Sequence, residues 1–299
     1  MSQNSKLFAP RCEINVVSHC NMACRSCSHL SPVTPKSFIQ VSSVERDVDI
    51  LTKYYHVKHV LLLGGEPLLH PELSDIAHVI RASDICDHIR VVTNGTLLWK
   101  MDDYFWESVD EVYISMYPGH IIKEDHLEII KQNALKHNTT IKIYKFNNFR
   151  VSYSEKGTSD LSLVGRIYST CQVAHIWQCS TLHDGYLYKC PQSLFLNQLL
   201  SRDSLPTGID GVKIVDDLSF KETLNAYMQS PDPLHRCRYC LGSVGKLFRH
   251  MEIPRRDWRG FQDYTSEDLI DMDYLNILEN LDAEAANSCF EPEVLDLIG

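Results

Sequence analysis

Short apolar, β-branched runs alternate along this chain with longer stretches whose apolar residues recur every three or four positions. Residues 13–17 (EINVV), 59–63 (HVLLL), 89–93 (IRVVT), 112–116 (VYISM) and 140–144 (TIKIY) carry the strand pattern. Residues 44–55, 71–81 and 123–137 carry the helical period, the first with Ser42 or Ser43 as its expected cap. Such alternation predicts parallel βα units. Polar or glycine-rich stretches follow the first three strands, CNMACRSC, GGEP and TNG in turn. That is the edge on which parallel barrels keep their active sites. A sixth strand is not evident, and residues 150–170 have no clear period.

From Cys171 onward the pattern changes. Residues 175–190, HIWQCSTLHDGYLYKC, alternate around Asp184–Gly185, a hairpin signal. The last fifty residues are acidic and carry a helical pattern. The expected class is α/β: a partial barrel over residues 1–165, then a small α+β domain over 166–299 with a helical tail packed on it.

With 299 residues, 44% hydrophobic and 23% charged, the chain can bury one large core or two moderate ones. It has no apolar run long enough to span a bilayer and no basic flank leading into an apolar core at its start. A cytoplasmic protein without a membrane partner is therefore expected. The net charge of −10, with basic clusters only at RCR and PRRDWR, argues against a nucleic-acid partner. It suits a small cationic or sugar-like ligand better than a polyanion. Eleven cysteines in such a chain point to metal or redox chemistry rather than disulfides. Of these, Cys12, Cys86 and Cys289 are expected to be small buried hydrophobes.

Cys20, Cys24 and Cys27 share one loop after the first strand. Thiolates favour zinc or iron–sulfur clusters, and a closed tetrahedral site needs a fourth ligand that this loop lacks. Three thiolates would hold three irons of a [4Fe–4S] cube and leave the fourth open to an exchangeable ligand.

This C-x3-C-x2-C loop, with GGEP after the second strand, resembles the radical S-adenosylmethionine (radical SAM) enzymes. The resemblance implies a partial (β/α)6 TIM-like barrel, with SAM chelating the open iron. It also implies an external one-electron donor of the flavodoxin or ferredoxin type. Gly64, Gly65, Glu66 and Pro67 match the family motif that receives the methionine ammonium. The glycines permit close backbone approach and Glu66 offers a negative partner. Taken alone, GGEP is also compatible with an ordinary strand-to-helix turn. Asn94, within TNG, and Ser115 stand at positions that contact SAM in the family. Ser26 replaces an aromatic residue common before the third cysteine, leaving His29 or Leu30 to contact adenine.

Cys171, Gly185 and Cys190 are spaced C-x13-G-x4-C, and Cys237 and Cys240 form a C-x2-C pair. This resembles the short, twitch-type extension that binds one auxiliary [4Fe–4S] cluster, although a zinc site would satisfy the same four thiols. Cys179 competes with Cys171 as a ligand; the distance from Cys171 to Gly185 matches the family. A Cys179 left unligated is a candidate hydrogen-atom donor. Lys145 and Arg150 are expected at the barrel mouth, holding the SAM carboxylate or a substrate hydroxyl, or else lying on solvated surface. Arg255, Arg256 and Arg259, near Trp258, would close over the site or pair with the acidic tail.

The plan resembles the dehydrogenases and epimerases of aminoglycoside antibiotic biosynthesis. It implies hydrogen abstraction from an aminosugar or aminocyclitol, with oxidation preferred over epimerisation. A peptide maturase and a non-catalytic iron–sulfur or zinc module are the alternatives. The first is disfavoured by the short segment ahead of Cys20, and the second by GGEP.

Overall fold

A computed structural model describes residues 6–200, 208–259, 263–288 and 293–298. Cys289 lies outside them. The first half holds strands β1 (Leu7–Val17), β2 (Tyr55–Gly64), β3 (Cys86–Thr93), β4 (Glu111–Met116) and β5 (Thr140–Lys145). All are parallel, in spatial order 1-2-3-4-5. Helices α1 (Val41–Leu51), α2 (Leu73–Ser83), α3 (Asp103–Ser108) and α4 (Glu124–His137) connect them. The chain is thus an α/β protein with a central parallel sheet, consistent with a partial TIM-like barrel. The predicted strands were too short because their N-terminal halves are partly polar. The expected serine caps lie inside α1, which begins after Gln40 without a side-chain cap.

Alternate strand residues divide the sheet into two faces. Cys12, Ile14, Val16, Val60, Leu62, Ile89, Val91, Val112 and Ile114 join Val44, Val48, Ile76 and Ile80 of α1 and α2 in the main core. Glu13 and Asn15 take the opposite, inner face, as does Arg90. That face is mixed, since the buried Leu61 and Leu63 of β2 alternate with Val60 and Leu62 and also point to it.

After the short strand β6 (Asn148–Arg150) come α5 (Leu161–Ser169) and α6 (Gln172–His175). The sixth parallel strand is β7 (Cys179–His183), which pairs with the far side of β1. It is also the first strand of the predicted hairpin. Asp184 and Gly185 both adopt positive φ, 44° and 80°, as a two-residue hairpin turn of this type requires. The chain returns as β8 (Tyr186–Tyr188), enters α7 (Pro191–Leu199), and adds β9 (Gly211–Lys213) to the same sheet. The boundary expected near residue 165 falls inside α5, and the sheet runs on across both halves.

Beyond α8 (Phe220–Gln229), β10 (Leu247–Arg249) pairs with β6 in a separate two-stranded ribbon. The tail forms α9 (Ser266–Leu269), α10 (Met272–Glu279) and α11 (Ala283–Ser288), as its pattern suggested. It ends unexpectedly in β11 (Glu293–Ile298), antiparallel to β5, which covers that edge of the sheet. No helix among the described residues is long and apolar enough to cross a membrane.

Candidate functional site

The loop carrying Cys20, Cys24 and Cys27 is fixed from three directions. Below it, Gly65 N–H donates to Val17 O at 2.8 Å and Glu66 N–H to His19 O at 3.1 Å. A Cβ on Gly65 would stand 2.0 Å from His19 O, so only glycine lets the two backbones meet. Beside it, Asn94 Nδ2 donates to Asn21 Oδ1 at 2.8 Å, and Asn21 Nδ2 to Thr96 Oγ1 at 2.8 Å. Above it, residues 251–258 act as a clasp. Arg25 N–H reaches Met251 O, Ile253 N–H reaches Ala23 O, and Ala23 N–H reaches the Glu252 carboxylate. Arg255 Nη2 donates to Cys20 O, and Trp258 Nε1 to Cys24 O, both at 2.7 Å.

The three thiols converge closely enough to affect one another. Burial pushes Cys20 up to about 12 and raises Cys24 and Cys27; the neighbouring thiols raise Cys20 and Cys24 further. Three crowded thiolates are tenable only beside a compensating positive centre, as at a metal or cluster. The surroundings fit a polar group bound over the loop. Ser26 Oγ, Ser31 Oγ, His19 Nδ1 and both ring nitrogens of His250 are buried without a hydrogen-bond partner among the described residues. His250 stacks on Tyr117 with centroids 4.7 Å apart, and burial followed by the three thiols raises the Tyr117 phenol. Tyr117 and His250 have no motif to announce them in the sequence.

Glu66 occupies a different setting from the one its motif suggested. It is fully buried, and its carboxylate accepts from Leu68 N–H (3.1 Å), Thr93 Oγ1 (2.6 Å) and Asn94 N–H (2.9 Å). Burial outweighs these donors and lifts its pKa to about 7. The carboxylate therefore ties the end of β2 to the TNG turn after β3. Pro67 is buried and opens a single 3-10 turn. Asn94 is held beside Cys20, and Ser115 hydrogen-bonds Tyr117.

Cys171, Cys190, Cys237 and Cys240 together line one pocket, with Ile167, Leu196 and Leu234 among its apolar walls. Cys171 and Cys190 occupy the N-cap positions of α6 and α7. Gly242 N–H donates to Cys240 Sγ at 3.3 Å. Lys189, 4% exposed, donates to Tyr168 OH (2.7 Å) and Ser230 O (2.6 Å) behind Cys190. Among the described residues no three His, Cys, Asp or Glu side chains are placed to hold a single ion. The four thiols face one pocket and act on one another electrostatically.

Cys179 does not line that pocket. It lies in β7 on the inner face, 6% exposed, hydrogen-bonded to Glu13, and burial holds its pKa well above the ordinary thiol range. His29 packs edge-on against Phe195 and points Nε2 toward Glu13. Neither expected barrel-mouth cation is available there. Lys145 pairs with Glu293 of β11 at 2.7 Å. Arg150 donates to Gly245 O at 2.9 Å, meets Asp271 at 3.4 Å and lies over the Tyr274 ring. Both join the barrel to the C-terminal segment. Arg259 pairs with Glu155, and Arg256 with Asp257. Cys12 is buried as expected and Cys86 only partly; burial pushes their thiols up to about 12 and about 11.

Among known proteins, the GTP 3',8-cyclase of Chlorobaculum tepidum is 30% identical over 104 residues, 34% of this chain and 31% of its own. The GTP 3',8-cyclase of Acaryochloris marina is 24% identical over 139 residues, 44% of this chain and 40% of its own. The match thus spans about a third of these relatives' length. Among solved structures, BtrN in complex with AdoMet and 2-DOIA aligns at TM-score 0.44 and 14% identity, covering 75% of this chain and 83% of that one. Native anSMEcpe with bound AdoMet aligns at TM-score 0.47 and 13% identity, covering 91% and 100%. The Radical SAM superfamily profile matches residues 14–145, a span that runs from β1 to the end of β5 and includes all three loop cysteines and GGEP. Over residues 14–145 this chain is thus similar to the radical SAM superfamily.

Proposed function

We propose that the protein is a radical SAM enzyme acting on a small aminosugar or aminocyclitol-like substrate, with oxidation as the outcome. The observation that carries the reading is the clasped loop, three converging thiols at the C-terminal end of β1 with buried, unpartnered polar groups around them. Cys20, Cys24 and Cys27 would hold a [4Fe–4S] cluster with one iron left to SAM. A cluster held there would supply one electron for the reductive cleavage of SAM. The chain's own part is to fix the loop through Gly65, Asn94, Arg255 and Trp258, and to shield it with Tyr117 and His250.

The four-thiol pocket would hold a second [4Fe–4S] cluster. A zinc ion would satisfy the same four thiols; the cluster is preferred on the resemblance to the short auxiliary-cluster extension. The buried Lys189 ammonium behind Cys190 would offset part of its negative charge. A second cluster held there by all four thiols would be able to accept an electron leaving the substrate, and oxidation is preferred on that ground.

Epimerisation is the second reading, and Cys179 supports it. Its thiol is kept protonated on the inner face, the state a hydrogen-atom donor needs. Anaerobic reconstitution tests the main reading. About eight irons per chain are expected. Replacing Cys20, Cys24 and Cys27 with alanine should leave roughly half of them and abolish SAM cleavage under dithionite. Cleavage retained in that variant would end the proposal.

A further inference from the structure

On the inner face, three neighbouring strand positions carry buried polar atoms without a hydrogen-bond partner among the described residues. Glu13 and Asn15 alternate on β1, and Thr181 of β7 is in register with Glu13. They are 7%, 7% and 0% exposed. Glu13 Oε2, Asn15 Oδ1 and Thr181 Oγ1 all lack a hydrogen-bond partner among the described residues. His29 Nε2 is likewise buried without one, 3.9 Å from Glu13 Oε2. That gap is too long for a direct hydrogen bond, yet one oxygen or nitrogen beside it would reach both atoms at about 2.8 Å. Buried polar atoms in folded proteins are almost always satisfied, by protein, water or ligand, so four orphans in one patch mark a place for polar atoms from outside the chain.

We propose that Glu13, Asn15, Thr181 and His29 form the substrate-contacting wall of the barrel, and that it takes a small ring bearing hydroxyl or ammonium donors. This deepens the reading given above and rests on it. The wall is dominated by acceptors. Cations elsewhere on strands β3 to β6 have acidic partners: Arg90 faces Glu111, Lys142 faces Asp296, Lys145 faces Glu293, and Arg150 faces Asp271. Arg11 lies within electrostatic reach of Glu13 itself. A polyphosphate would therefore meet a carboxylate without a countercharge of its own. An amine or polyol would meet the acceptors it needs.

The test uses the anaerobically reconstituted full chain with SAM, titrated calorimetrically with 2-deoxystreptamine, myo-inositol and GTP. Wild type should bind the aminated ring most tightly and GTP least. Glu13→Gln, which keeps the side chain's size, should weaken 2-deoxystreptamine about tenfold or more, the loss expected for a charge-assisted hydrogen bond. Thr181→Val should weaken it several-fold, because the hydroxyl goes and the shape stays. Iron content equal to wild type shows that each variant has folded. Unchanged ring binding in both variants, tighter binding of GTP, or no saturable binding of either ring by wild type would overturn the proposal. SAM cleavage without added ring, measured in the same preparations, separates the two ideas. Its absence from wild type would defeat the radical reading, whereas cleavage intact beside lost ring binding in Glu13→Gln is the expected result.

Discussion

The Glu66 carboxylate offers the most direct way to separate a ligand-binding acid from a structural one. Three donors converge on it, two backbone N–H groups and the Thr93 hydroxyl. Glu66→Gln replaces one oxygen with an NH2, which cannot accept from either neighbouring N–H. One buried donor is then left unpaired, at a cost of about 1–3 kcal/mol. Titration adds a second signature. The folded-state pKa, near 7, lies above the ordinary carboxyl value. Folding therefore favours the protonated acid. The stability this contributes is fully present below the unfolded-state pKa, and it is lost as pH rises through about 7. An upper bound on the loss between about pH 4.5 and pH 7 is roughly 3 kcal/mol.

Urea unfolding followed at pH 5 and pH 8, under anaerobic conditions, reads both effects. The wild type should lose stability between these values. Glu66→Gln should be less stable at pH 5 and show a flatter dependence on pH. Hydrogen exchange at the Asn94 and Leu68 amides should rise in the variant, because these are the two backbone donors to the carboxylate. If stability, its pH dependence and amide protection were all unchanged while SAM affinity fell about tenfold, the strut argument would be refuted and Glu66 would be a SAM ligand.

Three further outcomes are expected. Gly65→Ala should cost about 3 kcal/mol or more, because backbone rather than a mobile side chain blocks the new methyl; the purified variant should lack the loop's share of the iron. Gly165→Ala, in α5 with nothing within 4 Å, should be neutral or stabilising by up to about 1 kcal/mol in thermal unfolding. For Cys179→Ala, oxidation predicts retained turnover and a product two hydrogens lighter, with no solvent deuterium at carbon; unchanged substrate mass with deuterium incorporated in wild type would establish epimerisation instead.

The parallel strands and the loop cysteines were legible because both are local signals, β-branched runs and a fixed spacing. The Asp184–Gly185 turn was legible for the same reason. Glu66 was not, because its charge is visible in the sequence and the three donors that enclose it are not. Lys145 and Arg150 were misplaced for a similar cause. Their partners, Glu293 and Asp271, come from a tail more than a hundred residues away. The clasp over the cysteine loop had one faint trace, the PRRDWR stretch, whose Arg255 and Trp258 reach the carbonyls of Cys20 and Cys24. No periodicity marks Glu13 as special, since a polar residue alternating with Cys12 and Ile14 is what any half-buried strand shows.

The pairing of β7 with β1 changes what the second half of the chain is for. A separately packed domain would meet the barrel across a modest polar interface and could move against it. Here the strand that leads into the hairpin before Cys190 is hydrogen-bonded along β1, the strand that leads to Cys20. Any displacement of one cysteine set relative to the other would have to break that ladder or bend the sheet. Glu13 and Thr181, opposite one another across the same pairing, would be pulled apart by it as well. The clasp adds a second constraint, because residues 251–258 follow Cys237 and Cys240 in the chain and yet close over Cys24. Both cysteine sets and the inner-face wall are therefore fixed by one continuous sheet and one returning segment. Under the function proposed above, such rigidity would serve to keep a reactive intermediate from everything except its intended hydrogen.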